Sequence, residues 1–188
     1  KSAGILNIGT GLVSHLILSK NYSQQISGWG FPFGDKAGGW WIGLRMVQET
    51  IKAIDGYGNQ NDIVVNKTLN YIGTKDLQIL QWASKSKPHH LAKLSMIFFL
   101  IKKKSFIFDK ILNEALSEIE SILEFIIFKK KIKKIFLIGG LSLCYKPYLK
   151  KKYMKYFVKQ PIDPLKGAYN IAQKKFPLEK LINDQRSY

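Results

Sequence analysis

Lys134-Ile135-Phe136-Leu137-Ile138, followed at once by Gly139-Gly140, constrains this chain more than any other stretch. A short unbroken apolar run is the pattern of a strand buried on both faces, which calls for a sheet with helices on either side. The glycine pair ends the strand. At the carboxyl end of such a strand, residues without side chains allow either a ligand or a tightly packed helix to come close.

The amino-terminal region supplies the rest of the sheet. Ala3–Ile8 and Leu12–Ser19 read as strands joined by Gly9-Thr10-Gly11, and Ser23–Ser27 as a third. The hairpin tip is either a plain tight turn or a cradle in which backbone N–H groups and the Thr10 hydroxyl meet phosphate oxygens. Glycine-rich chain follows. Gly28, Gly30, Gly34, Gly38, Gly39 and Gly43, with Pro32, surround a single carboxylate, Asp35. Such a stretch is a shaped loop, because glycine permits positive φ and proline fixes φ. Asp35 stands just before an apolar-periodic segment, so it either caps a helix or accepts hydrogen bonds from the hydroxyls of a polyol.

That segment, Gly39 to Ile54, places Trp40, Ile42, Leu44, Val47, Ile51 and Ile54 at near-helical spacing, with Asp55-Gly56 as the stop. Further helices are expected over 64–72, from a Thr74 cap to about Ala83, over 91–101, and over 106–128 behind a Ser105 cap. In the longest of these, Phe108, Ile111, Leu112, Ala115, Ile119, Ile122, Leu123 and Ile126 form one stripe, with Asp109, Glu114, Glu118 and Glu120 on the wet side. His89 and His90, next to Pro88, read as surface or helix-start residues. A helix near 145–153, a last strand at Tyr156-Phe157-Val158 and a helix opened by Asp163-Pro164 complete the order, which is that of a mixed α/β layer fold.

Composition narrows the functional classes. The 188 residues suit one domain, or half of a two-domain protein. Thirty Lys and Arg against 13 Asp and Glu give a formal charge of +17, which favours polyanions of every kind. The excess is almost all lysine, in runs at 102–104, 129–134 and 150–152, and reads as solvated faces; the aromatics are not interleaved with these runs as a nucleic-acid stacking platform requires. Cys144 stands alone, so disulfides and cysteine-based metal sites within one chain are excluded, and a cytoplasmic setting is expected. The longest apolar run is far short of a membrane span, so no membrane partner is expected.

Three separated stretches together resemble one family. Gly9-Thr10-Gly11, the Gly28–Asp35 loop with Trp41-Ile42-Gly43-Leu44-Arg45 and Asp55-Gly56 behind it, and Leu137-Ile138-Gly139-Gly140 with the closing 161–168 segment are similar to the glucosamine and N-acetylglucosamine kinases. These belong to the BadF/BadG/BcrA/BcrD ATPase-like group of the actin, sugar kinase and Hsp70 superfamily. The resemblance implies that residues 1–188 are the carboxy-terminal ribonuclease H-like (actin-like ATPase) domain, a three-stranded antiparallel meander plus parallel strands with helices on both faces.

By the same resemblance, Gly9, Thr10 and Gly11 are a phosphate-binding turn, Gly139 and Gly140 an adenosine-side turn, and Gly30 and Asp35 the amino-sugar contacts. ATP with Mg2+ is the implied cofactor, ATP and an amino sugar the implied partners, and a homodimer the assembly to test; no specific nucleic-acid partner is implied. The family's first phosphate loop and its catalytic aspartate are expected in an amino-terminal half that this sequence lacks. No catalytic base and no protein metal ligand is therefore expected here, and little turnover alone. An ATPase activator of the same superfamily and a basic nucleic-acid-binding domain are the competing expectations.

Overall fold

The computed structural model describes residues 2–19, 22–101, 104–159 and 164–175. The chain divides into two compact units, Lys1–Val158 and Lys159–Tyr188. In the first, β1 (Ala3–Ile8), β2 (Leu12–Ser19) and β3 (Tyr22–Ser27) form an antiparallel meander. The apolar run becomes β4 (Ile135–Ile138), parallel to β1 with Gly4 opposite Ile135 and Asn7 opposite Ile138. The order β3-β2-β1-β4 makes a mixed sheet, and with its helices an α/β fold.

Alternation along the strands selects the face that meets the core. Leu6, Ile8, Leu12 and Leu16 are buried, while His15 and Ile17 on the opposite face of β2 are exposed. Ser14 is buried among them, and its hydroxyl donates to Ile5 O at 2.8 Å, which removes the cost of an unpaired buried polar group.

Five helices follow: α1 (Gly39–Ile54), α2 (Ile63–Ile72), α3 (Asp76–Lys85), α4 (Pro88–Phe99) and α5 (Phe106–Glu124); all but α3 contribute buried residues to the core, and α3 packs against it through the partly buried Ile79 and Trp82. The expected stripe of α5 is buried, and a wider π-type turn carries the helix on through Phe125–Lys129. Ser105 caps α5 as expected, accepting from Phe108 N–H at 2.9 Å. Its hydroxyl also donates to Asp62 at 2.7 Å, and Asp62 accepts from Val64 N–H at 2.8 Å, so one buried carboxylate ties together the first turns of α2 and α5. Thr74 does not cap α3; Lys75 holds that position, and the Gln78 side chain reaches back to accept from the N–H groups of Thr74 and Lys75.

Of the acids expected on the wet side of α5, Asp109 is exposed, while Glu114, Glu118 and Glu120 are only partly solvated. Glu114 takes a two-pronged hydrogen bond from Arg45 at 3.0 and 2.9 Å, and the nearly buried Glu49 of α1 accepts from Lys52 at 2.9 Å and Lys110 at 3.0 Å. Burial works to raise the Glu49 pKa, but the two lysine hydrogen bonds outweigh it and hold the carboxyl below its usual range. These contacts lock α1 to α5. The lysine run at 150–152 is an exposed face as expected, and two of its members form ion pairs there: Lys150 with Glu120, and Lys152 with Glu124 at 2.8 Å.

After β4 the expected helix over 145–153 is broken into α6 (Ser142–Tyr145), a 3₁₀ turn at Lys146–Tyr148 and α7 (Lys151–Met154). Pro147 is the cause, since it has no N–H with which to continue an α-helical ladder. The expected last strand shrinks to one parallel bridge, Phe157 beside Ile135, with Ile135 N–H donating to Tyr156 O at 2.8 Å and Val158 N–H to Ile135 O at 2.9 Å. The turn at Lys155-Tyr156 leaves one residue in pairing position. In the second unit, α8 (Pro164–Lys175) begins at the expected proline; its expected cap, Asp163, lies outside the described residues.

Candidate functional site

The Gly9–Gly11 tip is held by the start of α1. Gly9 O accepts from Gly39 N–H at 2.8 Å, Thr10 O accepts from Trp40 N–H at 3.0 Å, and Gly9 N–H donates across the turn to Gly11 O at 2.9 Å. All three carbonyls are thereby engaged, whereas the N–H groups of Thr10 and Gly11 have no hydrogen bond among the described residues. A turn with engaged acceptors and unengaged donors is suited to an anion. Gly11 is there for contact: a Cβ on it would overlap the Asp35 carboxylate, and one on Gly38 would lie 2.6 Å from Gly11 Cα, whereas a Cβ on Gly9 would meet open space.

The loop therefore rests directly on the tip, which the sequence reading did not anticipate. Gly38 occupies the N-cap position of α1 and no side chain caps that helix, so Asp35 is not the cap. Instead Asp35 adopts φ 61°, its backbone carbonyl accepts from Gly38 N–H at 2.9 Å, and Oδ1 accepts from Gly30 N–H at 3.3 Å. The left-handed conformation is one that Asp tolerates better than most residues. Ala37, also left-handed with φ 70°, is pinned from below: the Tyr145 hydroxyl donates to Ala37 O at 2.8 Å. Burial pushes the Tyr145 pKa up, so it remains a donor. Above, Phe31 meets Trp40 edge-on at 5.0 Å, while Trp29 and Phe33 project into solvent, 86% and 95% exposed.

Two cavities of about 350 Å³ flank the tip and share Gly9 and Thr10. The first also includes Asn7, Gly11, Gln25, Gly28 and Asp35 in its lining, with Asp35 as the one carboxylate. The second is completed by Gly140 and by His89, Lys93 and Met96 on one face of α4. Gly139 supports this side from below: at φ 92°, a side chain there would overlap Asn7 and Ile8. Gly140 faces open space.

Of the residues singled out by sequence, the fold brings Gly9, Thr10, Gly11 and Asp35 to one cavity and Gly9, Thr10 and Gly140 to the other. Gly30 and Gly139 act one step back, through a hydrogen bond to Asp35 and close packing on β1. Sequence reasoning missed Lys93, and it placed His89 at a helix start without seeing that it lines a cavity. The spacing 89, 92, 93 and 96 was the available signal, the more exposed complement of the buried Leu91, Leu94, Ser95 and Phe98. Gly43 sets how near α4 can lie, because a side chain there would overlap the backbone of Leu91.

Among the described residues there is no cluster of three His, Cys, Asp or Glu that could hold a metal ion, and no helix is long and apolar enough to cross a membrane. No protein-family model matches the chain, and no curated protein matches it in sequence. Solved structures do match. A protein of Chromobacterium violaceum provisionally named an N-acetylglucosamine kinase aligns with a TM-score of 0.77 at 23% identity, over 84% of this chain and 55% of that one. A second protein so named, from Porphyromonas gingivalis, aligns with a TM-score of 0.62 at 16% identity, over 93% of this chain and 61% of that one. The chain thus spans little more than half the length of these structures and shares the fold of that part of them.

Proposed function

We propose that this chain is the ATP- and amino-sugar-binding part of an ATP-dependent glucosamine or N-acetylglucosamine kinase, built on a ribonuclease H-like, actin-like ATPase domain. The observation that carries the reading is the tip itself, a turn with unengaged amides shared by two cavities, one of which contains Asp35. The sheet order β3-β2-β1-β4, with Phe157 pairing beyond β4, supports the domain type.

In this reading the Thr10 and Gly11 amides and the Thr10 hydroxyl hold phosphate oxygens, and Gly140, with no side chain, admits the nucleoside beside the tip. Asp35, oriented by the Gly30 amide, accepts hydrogen bonds from sugar hydroxyls and so fixes the sugar relative to the phosphate chain. Mg2+, when bound, neutralises charge along the phosphates. The two cavities offer one carboxylate between them, so such a cation would be held mainly by phosphate oxygens and water. Asp35 is the single carboxylate lining the two cavities, and its task is orientation; the base that takes the hydroxyl proton belongs to the part of the kinase this chain does not span.

Calorimetric titration of the chain with ATP·Mg2+ and with N-acetylglucosamine tests the reading, alongside a coupled assay of ADP release. Binding of both with negligible turnover is the expected result. Failure to bind either ligand would overturn it, and rapid sugar-dependent ADP release would overturn the assignment of the base.

A further inference from the structure

The two cavities beside the tip differ in charge. Asp35 lies on one side with no cation among the lining residues, and Lys93 lies on the other with no acid. Lys93 and His89 are one helical turn apart, so both project from the same face of α4, toward a cavity also bounded by Gly9, Thr10 and Gly140. That face is held in place by the close α1–α4 crossing at Gly43, and at Gly39, the first residue of α1, a side chain would crowd Ser95 and Ala92 of α4. The wall belongs to the same packed unit as the tip amides.

We infer that Lys93, seconded by His89, is the cationic wall of a polyphosphate subsite, which directs the phosphate chain of a nucleoside triphosphate to the α4 side of the tip. The inference rests on the proposed kinase reading and adds to it a residue and a direction. A lysine ammonium is a point charge with three donors, suited to a flexible chain of phosphate oxygens. The Asp35 carboxylate repels the same anion from the opposite cavity. Charge thus sorts the two ligands, polyanion toward α4 and polyol toward the loop, with the tip amides between them.

The test is calorimetric binding of ATP, inorganic tripolyphosphate and N-acetylglucosamine to the full chain and to Lys93→Met, Lys93→Arg and Lys133→Met. The last removes a charge from a run far along the sequence and controls for the general basic character of the protein. Lys93→Met is expected to weaken ATP and tripolyphosphate about tenfold each, leaving the sugar and the melting temperature unchanged. Lys93→Arg should restore most of the loss and Lys133→Met should change nothing.

Equal weakening by Lys133→Met, or tripolyphosphate binding untouched by Lys93→Met, would overturn the inference while leaving the kinase reading standing. Tripolyphosphate binding that depends on Lys93, in a chain that ignores both ATP and sugar, would instead sink the kinase reading and leave the anion wall.

Discussion

The two cavities beside the Gly9–Gly11 tip are equal in volume and share two residues, yet they are built in different ways. The Asp35 side is made of backbone: a loop of left-handed residues, laid on the tip through Gly38 and Gly11 and held by hydrogen bonds to main-chain atoms. The Lys93 side is made of helix packing. Its polar groups ride on α4, and their position depends on how closely α4 crosses α1. A loop held by main-chain bonds tolerates side-chain change well except at its glycines, whereas a helix-borne wall responds to any bulk placed at the crossing.

The largest effect should come from that crossing. Gly43→Val puts side-chain atoms into the backbone of Leu91, and an overpacked core of this kind costs about 3 kcal/mol. Denaturant unfolding should show the loss, and surviving protein should lose ATP affinity before sugar affinity. Unaltered stability would mean that the crossing does not hold α4 in place.

Asp35→Asn addresses the other side. Loss of charge-assisted hydrogen bonds to sugar hydroxyls costs about 1.5–3 kcal/mol, roughly 10- to 150-fold in affinity. Calorimetry should register this for N-acetylglucosamine alone, with ATP unaffected; a matching loss for both ligands would dissolve the distinction between the two sides.

Glu49→Gln makes a control remote from both cavities. Removing the charge that Lys52 and Lys110 share costs about 1.5 kcal/mol at neutral pH. Because the folded carboxyl titrates below its usual 4.5, this stabilisation is complete above that value and disappears as pH falls through the lowered one. Wild-type and variant unfolding curves should therefore differ at pH 7, begin to converge below about pH 4.5 and meet only below the lowered folded value; a gap that stays constant as pH falls below that value would contradict the ion-pair account. Both cavities should bind as before.

The smallest effect belongs to Tyr145→Phe, which removes the one hydroxyl that pins Ala37 from below. A net loss of about 1 kcal/mol is expected, read as a modest drop in melting temperature and a slight weakening of sugar binding only. Equal weakening of ATP binding would show that the loop and the α4 wall move together.

Much of this was legible in one dimension. The hairpin, the strand with its glycine pair, α1, the Ser105 cap and the α5 stripe all follow from local rules of pattern and capping, and the structure has each of them, although of β4 only Ile135 is fully buried and the other three residues are half-buried. What failed did so where distant chain intervenes. Pro147 breaks a helix whose pattern looked continuous, and Tyr156-Phe157-Val158 has strand composition but contributes a single bridge. The acids of α5 looked solvated because their partners, Lys36, Arg45, Lys150 and Lys152, lie far away in sequence.

The candidate site divides in the same way. Glycine spacing and a lone carboxylate marked the tip, the loop and the glycine pair, because backbone conformation is a local property that leaves its trace in residue type. Their convergence was not local. Only tertiary packing engaged the tip carbonyls with α1 and left two amides unbonded, turned Asp35 away from the helix it precedes, and brought Lys93 from a separate helix to face Gly9 and Thr10. Sequence determines which residues can make such contacts, since glycine is needed wherever two backbones must touch. Which backbones touch is decided by how the sheet and helices bury their apolar faces together.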